Sequence, residues 1–157
     1  MLNPYASYLG GRDPLEVIAA TPAKLAELAA APSHAPAPGK WDVRQILCHL
    51  ADCELTFAFR LRQAATEDNH TIQPFDQDKW AAACDTYEMD EALDLFRSAR
   101  RWNTKFISAQ PPEVLERPVT HPERGTMTFR TIVETMAGHD LNHVGQIERL
   151  LQGSRVV

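Results

Sequence analysis

The chain has 157 residues, with 16 Lys and Arg against 21 Asp and Glu, and a formal charge of −5. That length suits one domain, spanning 1–157, with a continuous core, and that charge argues against a nucleic-acid partner bound by phosphate neutralisation. A content of 44% hydrophobic and 24% charged residues is ordinary for a soluble globular protein.

The start, Met1 to Tyr8, has neither a basic n-region nor an apolar h-region, so no secretory signal is expected. No apolar run approaches the roughly 20 residues that a membrane-spanning helix needs. Cys48, Cys53 and Cys84 are odd in number and lack a disulfide-framework spacing, which places the chain in a reducing cytoplasm. Helical spacing then recurs throughout. Asp13-Pro14-Leu15-Glu16 predicts a helix start, with Asp13 as cap, Pro14 in the first turn and Glu16 closing a capping box. Thr21-Pro22 repeats the cap-plus-proline signal and predicts a break or kink, with a second segment to about Ala31. The proline-rich stretch from Ala31 to Gly39 is a linker loop.

Asp42, with Gln45 at the third helical position, opens a helix expected to run to about Thr66. At about 100° per residue from Ile46, His49 falls near ~300°, Leu50 near ~40° and Phe57 near ~20°, so His49 belongs to the inner face. A polar, turn-rich stretch follows, and Asp76 is placed to cap a short helix carrying Trp80. A long helix is expected over about Asp90 to Ala109, with Leu95, Ala99, Trp102 and Phe106 on one face. Pro111-Pro112 ends it, and Pro112 to Glu116 reads as one short turn. Arg117 to Thr126 is a loop or small hairpin. The last helix runs from about Thr128 to Gln152, with Gly153 placed to terminate it.

That last helix carries His139 and His143, four residues apart. Counted from Ile132 they lie near ~340° and ~20°, in the middle of the apolar stripe. Leu141 and Val144 widen the stripe enough to meet another helix or a second subunit. One buried histidine alone is more often a core residue bonded to a carbonyl. Two on one stripe, with His49 inward on another helix, favour a shared cation that satisfies all three nitrogens. Three neutral imidazoles suit zinc, nickel, iron or manganese better than calcium or magnesium, and without a fourth protein ligand they leave coordination positions open.

Cys53, one turn beyond His49, is the candidate for an extra soft ligand, although a small core hydrophobe is the more ordinary role for it. Asp140 follows His139, but helical phase turns it about 100° away, so this is not a metalloprotease HExxH. Gln146 could reach a ligand or steady His143, or make an interhelix hydrogen bond. Asp52 and Glu54 read as a solvated or loop-bonded carboxylate and a partner for an arginine, ahead of acid–base roles. His34, His70 and His121 are expected at the surface of loops.

The stretch Gly39-Lys40-Trp41-Asp42-Val43-Arg44-Gln45-Ile46-Leu47-Cys48-His49-Leu50-Ala51-Asp52-Cys53-Glu54 resembles the second helix of the DinB/YfiT-like superfamily. The last helix, with His139-x3-His143 followed by Gly145-Gln146-Ile147, resembles its counterpart there, and Phe75-Asp76-Gln77-Asp78 resembles one branch of the family. The likeness covers about residues 3 to 152. It implies an all-α fold, a four-helix bundle with long inter-helix connections, and a divalent metal held by His49, His139 and His143. It also implies a homodimer and a small-molecule substrate, since relatives include metal-dependent transferases of low-molecular-weight thiols and a thiol-dependent maleylpyruvate isomerase. Asp42 stands where the family often has Ser; both cap helices.

The leading expectation is therefore a metal-dependent transferase joining a thiol to a small electrophile. A metal hydrolase and a non-catalytic metal-stabilised or ligand-sensing dimer are the alternatives.

Overall fold

Side-chain caps set where the long helices begin. In this computed structural model, which describes residues 2–153, the Asp13 carboxylate accepts the Leu15 N–H and opens α2, Pro14–Ala29. The ends of the expected 1–157 domain, Met1 and residues 154–157, lie outside the described residues. A short α1, Ala6–Leu9, precedes α2. Asp42 and Gln45 form the expected reciprocal capping box at the start of α3, Val43–Thr66. Asp76 caps the short α4, Gln77–Ala81, and a 3₁₀ turn at Cys84–Thr86 leads into α5, Met89–Ser108. Then come α6, Pro112–Leu115, and an antiparallel hairpin of β1, Pro118–His121, and β2, Gly125–Thr128. Thr128 caps α7, Phe129–Gln152, and Gly153 follows it at φ +66°.

The four long helices form the bundle. α2 packs against α5 and α7, and α3 packs against the same two, so α2 faces α3 and α5 faces α7 across the diagonals. Crossing a diagonal takes more chain than turning to a neighbour, and this accounts for the long connections at residues 30–42 and 109–128. The hairpin pairs Val119 with Met127, both buried, and so closes one end of the apolar core.

The core has two apolar parts with a polar layer between them. On α3 the change falls around Cys53, and on α7 it falls between Ala137 and Ile147. The buried polar side chains His49, Glu54, His139, Asp140 and His143 of those helices occupy this layer. Its centre is Arg100 of α5, only 2% exposed. Arg100 Nε and Nη2 donate to Glu54 Oε2 at 3.0 and 2.7 Å, and Nη1 and Nη2 donate to Asp140 Oδ2 and Oδ1 at 2.5 and 3.0 Å. The second Nη1 proton goes to the Ile18 carbonyl at 3.1 Å. All five guanidinium protons are thereby used. Burial alone would lower the guanidinium pKa, but the Asp140 and Glu54 carboxylates more than reverse this and raise it.

Three expectations change here. Thr21-Pro22 does not break α2, which runs unbroken past it. Pro22 lacks the N–H that would bond the Ile18 carbonyl four residues back, and Arg100 takes that carbonyl instead. Nor does Glu16 complete a capping box, since Asp13 bonds Leu15 and no return bond forms. Finally, the face of α5 carrying Leu95 and Trp102 is the outer one, 41% and 67% exposed; the buried row is Ala92, Phe96, Arg100, Asn103 and Ile107. A count of apolar residues misses that row because two of its members are polar and satisfied only by tertiary partners. Glu54 does pair with an arginine, as expected.

Replacing Arg100 by Met should leave Glu54 and Asp140 buried without a counter-ion and cost about 3–5 kcal/mol of stability. Urea unfolding would show this as a lowered midpoint; a loss under about 1 kcal/mol would contradict a central role for Arg100.

Candidate metal centre

One layer of the bundle brings His49 of α3 against His139 and His143 of α7. All three are buried, at 3–4% exposure. His139 Nε2 lies 3.0 Å from His49 Nε2 and 3.1 Å from His143 Nε2. His143 Nδ1 bonds Gln146 Oε1 at 2.7 Å, within the same helix. Because that amide oxygen can only accept, the proton of neutral His143 sits on Nδ1 and its Nε2 offers a lone pair.

The chemistry of this set favours a cation over protons. Burial, and secondarily the neighbouring His143, lowers the pKa of His49 to about 3. Burial likewise lowers His139, with His143 and His49 adding to the effect, and lowers His143 against the opposing pull of Gln146. The rings are therefore neutral. His139 Nε2 faces two nitrogens yet has at most one proton to give, so protons cannot satisfy the cluster. Nitrogens bound at about 2.0–2.1 Å to one ion stand roughly 3.0–3.4 Å apart, which matches the observed spacing. The three side chains fit a divalent transition metal.

Cys53 adds a fourth donor. Its Sγ lies 3.5 Å from His49 Nε2 and 3.9 Å from His139 Nε2, and His49, Cys53 and His139 together make a compact group of metal-capable atoms. Burial pushes the thiol pKa up, so Cys53 is a neutral thiol unless a cation draws off its proton. Cys53 is thus both buried among apolar side chains and within reach of the imidazoles.

Aromatic rings hold the imidazoles in place. Trp41, just ahead of α3, lies 4.8 Å from the His49 ring and stacks 16° from parallel with His143. Tyr5 meets His139 edge-on at 5.1 Å. It gets there because Asn3 Oδ1 accepts the Tyr5 N–H and because α7 carries Gly138, where a Cβ would run into the Tyr5 backbone. A cavity of about 700 Å³ reaches His143, lined by Tyr5, Trp41, Asn142 and Gln146, with Lys40, Arg149 and Asp78 as its charged members. A second hollow of about 570 Å³, between α2 and α5, is lined by Arg97, Arg101 and Lys105 and holds no imidazole or thiol.

Of the other candidates, Gln146 steadies His143 from within α7. Asp52 is half-buried and its carboxyl is pushed up by burial, but it does not line the cavity. His34 is exposed as expected. His70 and His121 are not surface residues. His121 is a buried residue of β1, its Nδ1 accepting the Glu123 N–H, and His70 is half-buried beside the hairpin and pairs with Glu67. Loop-like composition hides both, because the hairpin's tertiary packing encloses them. Tyr5 escaped sequence reasoning altogether: nothing in a short N-terminal stretch indicates that it returns to the last helix.

Comparison with known proteins identifies the family. The DinB superfamily model matches residues 17–147. Two relatives, from Oceanobacillus iheyensis and Bacillus mycoides, are each named as candidate metal-dependent hydrolases and are 32% identical over 114 residues. The matched stretch is 71% of this chain and 66% and 65% of theirs, so the chain spans just under two-thirds of their length. The solved structure of YfiT from Bacillus subtilis, described as a probable metal-dependent hydrolase with an unusual four-helix-bundle topology, matches with a TM-score of 0.78. That match covers 90% of this chain and 87% of YfiT at 22% identity, a likeness of fold. With most of its length matched by the family model, this chain is a member of the DinB superfamily.

Proposed function

We propose that this chain is a metal-dependent hydrolase of a small molecule, with His49, His139 and His143 as the metal ligands and zinc or nickel as the metal. The convergence of three neutral Nε2 atoms beside a cavity carries the reading. The names of the 32% identical relatives support it. A divalent ion held there supplies Lewis acidity, polarising a substrate and lowering the pKa of the attacking group. The three imidazoles are occupied as ligands and move no protons. Gln146 fixes the His143 tautomer, Trp41 and Tyr5 wall the site from bulk water, and Asn142 offers an amide to a substrate.

Transfer of a low-molecular-weight thiol to an electrophile is the second reading. One observation favours it: among the described residues lining the cavity the one carboxylate is Asp78, exposed on α4, so no carboxylate base faces His143. The third reading is a non-catalytic, metal-stabilised dimer. A homodimer suits any of them. Leu55 and Phe59 on α3 and Leu95 and Trp102 on α5 are 41–67% exposed. Arg62 of α3 lies over Phe106 and bonds Asn103, so the two helices abut beside these rows. Among the described residues no helix is long and apolar enough to cross a membrane, and the three buried free cysteines suit a reducing cytoplasm.

Metal analysis of untagged protein should find about one divalent ion per chain, with at least a tenfold loss in His49→Ala, His139→Ala and His143→Ala. Unchanged content in all three would refute the site. Ester and amide panels should turn over only with metal present; thiol adducts with no hydrolysis would transfer the assignment to the second reading. Phe59→Glu combined with Trp102→Glu should convert a dimer to a monomer by light scattering without loss of helical circular dichroism, and a monomeric wild type would refute the interface.

A further inference from the structure

The Arg100 cluster contains more negative charge than its own geometry requires. One guanidinium is matched by two carboxylates, and all three side chains are no more than 2% exposed. Asn103 Nδ2 gives Glu54 Oε1 a further bond at 2.8 Å, so Glu54 is satisfied at both oxygens. Arg62 reaches the cluster only through the Asn103 amide, at 3.0 Å from Oδ1. The buried group is left with a formal charge of −1. An unmatched charge in a dry interior is expensive. One carboxylate would match the charge of Arg100, and neutral carbonyl oxygens could accept the remaining protons, as that of Ile18 already does.

The surplus lies next to the imidazole cluster. Asp140 adjoins His139 in α7, and Glu54 adjoins Cys53 in α3, five residues after His49. The imidazoles themselves are neutral, so a divalent ion among them would bring two positive charges into the core with no anionic ligand, except Cys53 as a thiolate.

We infer that the Glu54–Arg100–Asp140 cluster is the buried counter-charge of the metal centre, its surplus carboxylate offsetting part of the charge of an ion held by His49, His139 and His143. The inference rests on the metal reading proposed above. Glu54, Arg100 and Asp140 touch neither ion nor substrate and are positioning residues. By linkage, an ion that is stabilised by the cluster must stabilise the cluster in return. Removing one negative charge should therefore harm the metal-loaded protein more than the metal-free one. A cluster that only ties helices together would lose the same stability in both.

The test compares zinc affinity, by competition with a chromophoric chelator, and melting temperature with and without zinc. The proteins are wild type, Glu54→Gln, Asp140→Asn, Asn103→Ala and His139→Ala. Glu54→Gln and Asp140→Asn should each weaken zinc binding about tenfold or more and shrink the zinc-induced rise in melting temperature. Asn103→Ala breaks bonds in the same cluster without changing its charge; it should lower both melting temperatures together and leave zinc affinity near wild type. If Asp140→Asn does not fold, Glu54→Gln decides, since Arg100 there retains Asp140. Wild-type affinity in the foldable charge variants, with zinc lost in His139→Ala, would overturn the inference alone. So would an equal weakening in Asn103→Ala, which would make shape, not charge, the cause. Zinc bound equally by wild type and His139→Ala would remove the metal reading itself, and the inference with it.

Discussion

Saturation of a single guanidinium organises this bundle. Arg100 on α5 has five protons to place in a buried interior, and it places them on α3, α7 and the backbone of α2. Apolar contacts tolerate a helix sliding or rotating slightly, because one methyl can replace another. Hydrogen bonds to a planar fork do not, since each has a preferred direction and length. The cluster contributes little net energy compared with an apolar replacement of the same shape. What it supplies is register, and register is what the proposed metal centre requires. His49 and His139 belong to two of the helices that Arg100 ties together, and their nitrogens must approach within about an ångström of an ideal spacing for one ion to serve both.

Much of this was legible in the sequence, for reasons that can be traced to particular residues. Asp42 with Gln45, and Thr128 ahead of the last helix, are local signals: a cap needs only the residues within one turn. The inward phase of His49, His139 and His143 was legible for a similar reason, because the apolar residues around each set the face of its helix. The other polar half of the core was not. Arg100 and Asn103 resemble surface residues in any scan of hydrophobicity, while Leu95 and Trp102 resemble core; only the tertiary positions of Glu54 and Asp140 reverse the assignment. His70 and His121 were misplaced because His121 belongs to a hairpin strand that packs on the core and His70 lies alongside it, and Tyr5 because its role depends on a contact with a helix more than a hundred residues later.

The cavity beside the imidazoles is mixed in character. Trp41 and Tyr5 give it apolar walls, Asn142 and Gln146 give it amides, and Lys40 and Arg149 stand among its lining with one carboxylate. Such a lining can orient a small polar molecule without committing to one reaction.

The proline of α2 has a consequence beyond the shape of its helix. α2 offers no imidazole and no carboxylate to the polar layer, yet its backbone is bonded there through the Ile18 carbonyl, which Pro22 leaves free. No substitution of the Ile18 side chain removes that oxygen, so truncating side chains one at a time along α2 would pass over the attachment. In the sequence, its only trace is Pro22, valued there for the hydrogen it lacks.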